Sequence, residues 1–182
     1  MRERNDIDYL WRILREEATQ QTQAEPALAS FYHSSILSHD AFEAALAFQI
    51  ASNLDSDTVP SMLLRDEFTR ALQSSPDIAQ AARDDIHAYK DRDPACDRFS
   101  MPFLYFKGFQ ATQAHRFAHW LWQHGRQALA YYIQHRAAVL FDVDIHPNAS
   151  IVPGLMVDHA TGLVIGETAV VGRNVSLLHE VT

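Results

Sequence analysis

Along residues 6 to about 140 the apolar positions recur at helical spacing. Ile7, Leu10, Trp11, Leu14 and Ala18 fall at i, i+3, i+4, i+7 and i+11, one face of a first helix. Pro26 suits the first turn of a second helix running to about Leu37. Asp40 with Glu43 resembles a capping box, ahead of an apolar face made by Phe42, Leu46 and Ile50. Pro60 opens a fourth helix carrying Leu64, Phe68, Ala71 and Leu72. Ser75-Pro76 opens a fifth, with Ala79, Ala82, Ile86 and Tyr89. The pattern then breaks at Lys90-Asp91-Arg92-Asp93-Pro94, a charged run whose composition fits a solvated loop. A sixth helix is expected from about Phe109 to Gln123, closed by Gly125, and a last one from Arg126 to about Phe141. This part reads as a helical bundle whose final helix stacks on the segment that begins near Asp144.

From Asp144 the beat changes to six. The chain reads IHPNAS, IVPGLM, VDHATG, LVIGET, AVVGRN, VSLLHE, and the first residues, Ile145, Ile151, Val157, Leu163, Ala169, Val175 and then Val181, are all apolar. A second stripe at Ile165, Val171 and Leu177 lies two positions on, with Gly166 and Gly172 directly after its first two members. Neither the period of a helix nor that of a strand yields six. A triangular parallel β-helix does, each six being a short strand plus a corner, with about eighteen residues to a coil. The expected fold class is α+β: an all-α bundle over residues 1–141, then residues 142–182 as the first coils of a parallel β-helix. Periodicity leaves the hand of the coil open, although such coils usually wind left-handed, against the right-handed crossover preference.

Composition narrows the function. Lys and Arg number 15 against 23 Asp and Glu, a net charge of −8, which argues against a nucleic-acid surface and for a soluble, small-molecule role. Cys96 is the only cysteine, so no intramolecular disulfide is possible and a reducing compartment is expected. MRERNDIDYL lacks the apolar stretch of a signal peptide, and no run approaches the ~20 apolar residues of a membrane span. The expected location is the cytoplasm, with no membrane partner.

Candidate chemistry sits in the coils. His159 follows Asp158 in DHATG, at the phase where the second stripe is aliphatic further along. An imidazole at a buried position is costly unless it is hydrogen-bonded or used. Asp144, in VDIHP, lies close to one coil upstream and is expected near His159 on an adjacent turn. A carboxylate there would fix the tautomer of a general base. The spacing leaves a second reading open, in which the histidine and two aspartates only satisfy corner backbone groups. His115 and His119 share a helix face, but Arg116 stands where a zinc motif needs Glu, and no metal is expected. Phe117, Trp120 and Trp122 read as core and subunit contacts, and Cys96 as packing. No Walker loop or dinucleotide fingerprint is present.

VDIHP, DHATG and VIGETAVVG, preceded by RDPACD and YFKGFQATQAHRFAHWLW, resemble the serine O-acetyltransferase family over nearly the whole chain. The RDPA segment joined to DHATG separates that family from other hexapeptide acyltransferases. The resemblance implies a left-handed β-helix and transfer of an acetyl group from acetyl-CoA to the L-serine hydroxyl, giving O-acetylserine for cysteine synthesis. It implies His159 as base, Asp144 as its partner, and Asp93 and Asp158 as holders of serine. It implies acetyl-CoA as co-substrate with no permanently bound cofactor, and a homo-oligomer (a trimer or a dimer of trimers) joined by the helical part. An O-acetylserine sulfhydrylase partner is implied through a C-terminal tail absent here. The family continues past HEVT with LGGTG and further coils bearing an Arg-His pair and the acetyl-CoA surface, so cofactor contacts are expected beyond Thr182. The chain accordingly reads either as a piece of a longer protein or as a naturally shortened copy, and an assembly module retaining only the oligomerisation role is the alternative to an enzyme. From about Ala169 onward the chain is expected to be mobile, or ordered only by packing against another copy, and the helical part is expected to be independent of the coils.

Overall fold

The computed structural model describes residues 6–182, with side chains from residue 9 onward. Helix α1 (Asp6–Ala24) buries Leu10, Leu14 and Ala18, as its spacing predicts; the Ile7 side chain lies outside the described residues. The expected second helix is three pieces: a 3₁₀ turn at Pro26–Leu28, α2 (Ala29–Tyr32) and a π-helical turn at His33–Leu37. Helix α3 (Phe42–Asn53) starts without the expected capping box, because Ala41 is its N-cap and no side chain caps it. Glu43 instead accepts from the Arg83 guanidinium at 2.8 Å, which lies 4.3 Å from the centre of the Phe42 ring. A tertiary partner has displaced a local one.

Helices α4 (Ser61–Ser74) and α5 (Asp77–Arg92) follow their predicted faces, but α5 runs through Lys90-Asp91-Arg92, where composition predicts a loop. Pro94 constrains only the residue before it, and Asp93 is already the extended C-cap; Lys90 and Arg92 suit the carbonyl end of the helix dipole. An unexpected helix, α6 (Ser100–Tyr105), has its first N–H groups capped from elsewhere: Glu17 of α1 accepts from the amides of Phe99 and Ser100 at 3.2 and 2.7 Å. Helix α7 (Lys107–Gln123) starts earlier than predicted and is closed past its His124 cap by Gly125, whose φ of +72° lets the Arg126 amide turn back to the Leu121 carbonyl. Helix α8 (Gln127–Phe141) completes the helical part. Phe68 and Phe117 stack at 4.1 Å in its core. No described helix is long and apolar enough to cross a membrane.

The strands are β1 (Val143–Ile145), β2 (Ser150–Ile151), β3 (Met156–Val157), β4 (Leu163–Ile165), β5 (Val170–Val171) and β6 (Ser176–Leu177). They pair in parallel as β1 with β4, β2 with β5 and β3 with β6, with Val143 opposite Leu163, Ser150 opposite Val170 and Met156 opposite Ser176. Each register advances twenty residues, not the eighteen expected. The two extra residues lie in Asp158–Gly162, and they shift the phase. Val143, Ala149 and Leu155 sit beneath Leu163, Ala169 and Val175, whereas Ile145, Ile151 and Val157 sit beneath Ile165, Val171 and Leu177. The apparent single stripe from Ile145 to Val181 therefore joins two different inward positions. Corner residues repeat with the same period: positive φ occurs at Asp142 and Gly162, Gly154 and Asn174, and Ala160 and Glu180.

The helical part is not independent of the coils. Buried Asp85 of α5 accepts from the amides of Gly154 and Leu155 at 2.8 and 2.9 Å, and from Nη2 of buried Arg116 of α7 at 2.7 Å. Arg116 also reaches the Ile151 carbonyl. Buried ions carry a desolvation cost, so each is paired and bonded. Residues from Ala169 onward form β5 and β6 on the first coil.

Candidate active site

The end of α5, the start of α7 and the Asp158–Gly162 corner enclose a cleft of about 400 Å³ that Asp93, Asp158 and His159 all line. Asp93 arrives there as the C-cap of α5, its amide still bonded to the Tyr89 carbonyl and its Oδ1 accepting from the Ala95 amide at 2.8 Å. Asp158 follows β3 and donates its amide to the Leu177 carbonyl at 2.9 Å. Beyond it the backbone turns tightly twice, Ala160 N–H to Asp158 C=O and Thr161 N–H to His159 C=O, with φ of 58° at His159 and 59° at Ala160. Such values cost a non-glycine residue energy, which the surrounding bonds offset. The inserted corner carries His159 out of the inward phase expected for it: its side chain is 73% exposed, with Nε2 3.7 Å from Asp158 Oδ2. The imidazole faces the cleft and solvent, where a substrate can reach it.

Two residues fix the contact between the helices and β3 beside the cleft. Tyr89 donates its hydroxyl to the Val157 carbonyl at 2.9 Å and accepts from the Val157 amide at 3.0 Å. Burial pushes that phenol above its ordinary range, so it stays protonated and holds both bonds. Gly108 lets α7 approach β3; a Cβ there would run into the Val157 carbonyl and lie 3.0 Å from the Tyr89 hydroxyl. Lys107 lines the cleft and donates to the Thr161 hydroxyl of the inserted corner. Tyr105 also lines the cleft and shares a 2.7 Å hydroxyl–hydroxyl bond with Tyr32.

Asp144 is elsewhere. It stands on the outward face of β1 and accepts from Gln134 Nε2 at 2.7 Å; the carboxylate within 4 Å of the His159 ring is that of Asp158. The fifteen-residue separation falls short of the true coil, so it does not stack the two residues. His179, twenty residues after His159, does lie against it, edge to face with ring centres 6.1 Å apart. A correct period would have found His179; Tyr89 reads only as part of an apolar face, and Lys107 only as part of the run before the helix expected at Phe109. His115 and His119 gain no third ligand, and no cluster of three potential metal ligands exists among the described residues. Cys96 is buried, and burial together with the Asp93 charge pushes its thiol up to about 11, which makes it a poor nucleophile.

Residues 10–114 match the family described as serine acetyltransferase, N-terminal. The chain is 45% identical over 177 residues to the serine acetyltransferase of Escherichia coli (strain K12), covering 97% of this chain and 65% of that one. It thus spans about two thirds of the length of that relative. Among solved structures it is similar to serine acetyltransferase in complex with coenzyme A from Brucella abortus strain S19, with 46% identity, a TM-score of 0.94, and coverage of 96% of this chain and 70% of that one. A serine acetyltransferase in complex with cysteine superposes with a TM-score of 0.92 at 46% identity, over 93% of this chain and 70% of that one. The shared architecture is a helical part leading into a left-handed parallel β-helix. On the match across residues 10–114 and the identity that continues through the coils, the chain belongs to the serine acetyltransferase family.

Proposed function

We propose that the cleft is the amino-acid side of a serine O-acetyltransferase site, with His159 as general base. The observation that carries this reading is the meeting of Asp93, Asp158 and His159 in one cleft, two carboxylates beside one accessible imidazole. L-Serine brings an ammonium group for the carboxylates and a hydroxyl for the imidazole. As the serine oxygen bonds to the acetyl carbonyl carbon of acetyl-CoA, its proton passes to His159. The tetrahedral intermediate then breaks its C–S bond, and the imidazolium returns the proton to the leaving thiolate, giving O-acetylserine and CoA. General-base assistance is worth ~10²–10⁴-fold. Relatives solved with coenzyme A and with cysteine, which carries sulfur where serine carries oxygen, support both ligand classes. The test is thiol release from acetyl-CoA with L-serine on the full-length protein. His159→Ala should lose most activity, and retention of most of it would overturn the base assignment.

Asp144 keeps a role as imidazole partner across a boundary between copies. Its exposure on the outer coil face beside its exposed apolar register partner Val164 supports that reading. Activity regained on mixing His159→Ala with Asp144→Ala chains is the expected outcome; no recovery would confine both residues to one chain.

A second reading, an assembly role for the helical part, draws support from Met62 and Leu63, adjacent and exposed on α4. An oligomer by light scattering without acetyl-CoA binding by calorimetry would favour it.

A further inference from the structure

Helix α5 meets the coils through one polar stripe. Asp85, Tyr89 and Arg92 fall at i, i+4 and i+7, and each bonds backbone of the β-helix. Asp85 takes the amides of Gly154 and Leu155, and Tyr89 takes both backbone groups of Val157. These two reach the first coil only. Arg92 reaches both coils: Nη2 donates to the Gly154 carbonyl, while Nη1 donates to the Asn174 carbonyl at 2.9 Å, the Val175 carbonyl at 3.2 Å and the Ser176 hydroxyl at 2.8 Å. Asn174 is the corner residue one coil beyond Gly154, so the guanidinium staples successive coils at one corner. Its Nε remains on its own helix, donating to the Ala88 carbonyl at 3.2 Å. No carboxylate lies within 4 Å of it among the described residues; its charge meets only neutral acceptors.

Both carboxylates of the cleft depend on what Arg92 holds. Asp93 is the next residue, placed where α5 ends, and a helix end without tertiary bonds frays. Asp158 is tied by its amide to Leu177, the neighbour of Ser176 in β6. We propose that Arg92 is a positioning residue for amino-acid binding, setting the separation of Asp93 and Asp158 by clamping the end of α5 to both coils. This rests on the serine site proposed above. Lysine is a poor substitute, since a point charge on a flexible stem cannot hold acceptors on two coils at once.

The test is steady-state kinetics on the full-length protein with L-serine and acetyl-CoA varied separately, alongside thermal melting. In Arg92→Met the KM for serine should rise on the order of 10- to 100-fold, as expected for a misplacement near 1 Å. The KM for acetyl-CoA should stay within about twofold, because the clamp sets the amino-acid side. Arg92→Lys should fall between, and Ser176→Ala, which removes one acceptor, should raise the serine KM by about two- to threefold. If Arg92→Met does not fold, the other two variants decide by the same split. A serine KM unchanged in all three, or losses shared equally by both substrates and tracking the melting temperature, would overturn the proposal. Failure of the wild-type protein to turn over serine would overturn the functional reading itself, visibly so before any substitution is made.

Discussion

The two coils share strand register and corner positions yet differ in how they are held. The first, from Val143, is clasped by the helices: Val143, Ala149, Leu155 and Val157 are buried, and Asp85, Tyr89 and Arg116 bond its backbone. The second, from Leu163, lies on the first through parallel strand bonds. From Ala169 its inward residues are half-buried, and its side-chain ties to the helical part are those of Arg92 and of Arg173 with Asp84. A short parallel strand has little stability of its own, so winding needs a template. Helices α5 and α7 supply that template to the first coil, and the cleft lies where control passes to the second.

The strongest test removes the buried link. Asp85→Ala would leave Arg116 charged and buried without its partner, and would strand the amides of Gly154 and Leu155. The expected loss is about 3–5 kcal/mol in denaturant unfolding. Asp85→Leu combined with Arg116→Met should lose less, because no lone charge remains, although the two amides stay unpaired. A loss below about 1 kcal/mol in Asp85→Ala would mean that the first coil does not lean on the helices.

The close approach of α7 is the next target. Gly108→Val puts a branched side chain against the Val157 carbonyl, which is backbone held by Tyr89 and has nowhere to go. A cost of about 3 kcal/mol is expected from unfolding midpoints. A neutral outcome would mean that α7 and β3 slide freely.

Legibility in the sequence depends on where each bond partner sits. Helix faces such as Leu10, Leu14 and Ala18 are readable because the burying geometry repeats every turn within one stretch of chain. Helix α6 is not, since its cap is Glu17, about eighty residues away in α1. The coil is legible as a period of six, but the Asp158–Gly162 insertion hides in a run of apolar residues that still looks in phase. That insertion exposes His159 and separates it from Asp144, so the resemblance names Asp93, Asp158 and His159 but not their geometry, nor the Tyr89 and Lys107 side chains beside them. Arg92 is invisible as a clamp, because carbonyl acceptors leave no mark in side-chain sequence.

His115 provides a pH-dependent probe of the first coil. It is buried beside Val143 and Ile145, with Arg116, His119 and His146 as its charged or titratable neighbours. Burial first, and then the Arg116 charge, push its pKa down to about 3 from an ordinary 6.5. Between those values the unfolded chain binds the proton and the folded chain does not, so acidification favours unfolding. One group of this kind contributes about 2 kcal/mol of lost stability from pH 6.5 to 5. His115→Leu should flatten the pH dependence by that amount, and an unchanged slope would show that the imidazole is not held neutral.

The smallest expected effect involves the residue next to the one with the largest. Asp84 and Asp85 are neighbours on α5, and each faces an arginine. Asp85 is fully buried against Arg116 at 2.7 Å, whereas Asp84 meets Arg173 of the second coil at 3.8 Å, with 35% and 63% of the two side chains exposed. At that distance and exposure, water and salt screen most of the attraction, and holding two long side chains in place costs entropy. Asp84 also already accepts from Gln80 at 2.9 Å, so it is satisfied without the arginine. Arg173→Ala should therefore change unfolding free energy by less than about 0.5 kcal/mol, and raising the salt concentration should reduce even that. A loss above about 1 kcal/mol would mean that the second coil is tied to α5 by charge, and the contrast between the coils would have to be redrawn around Arg173 instead of Arg92.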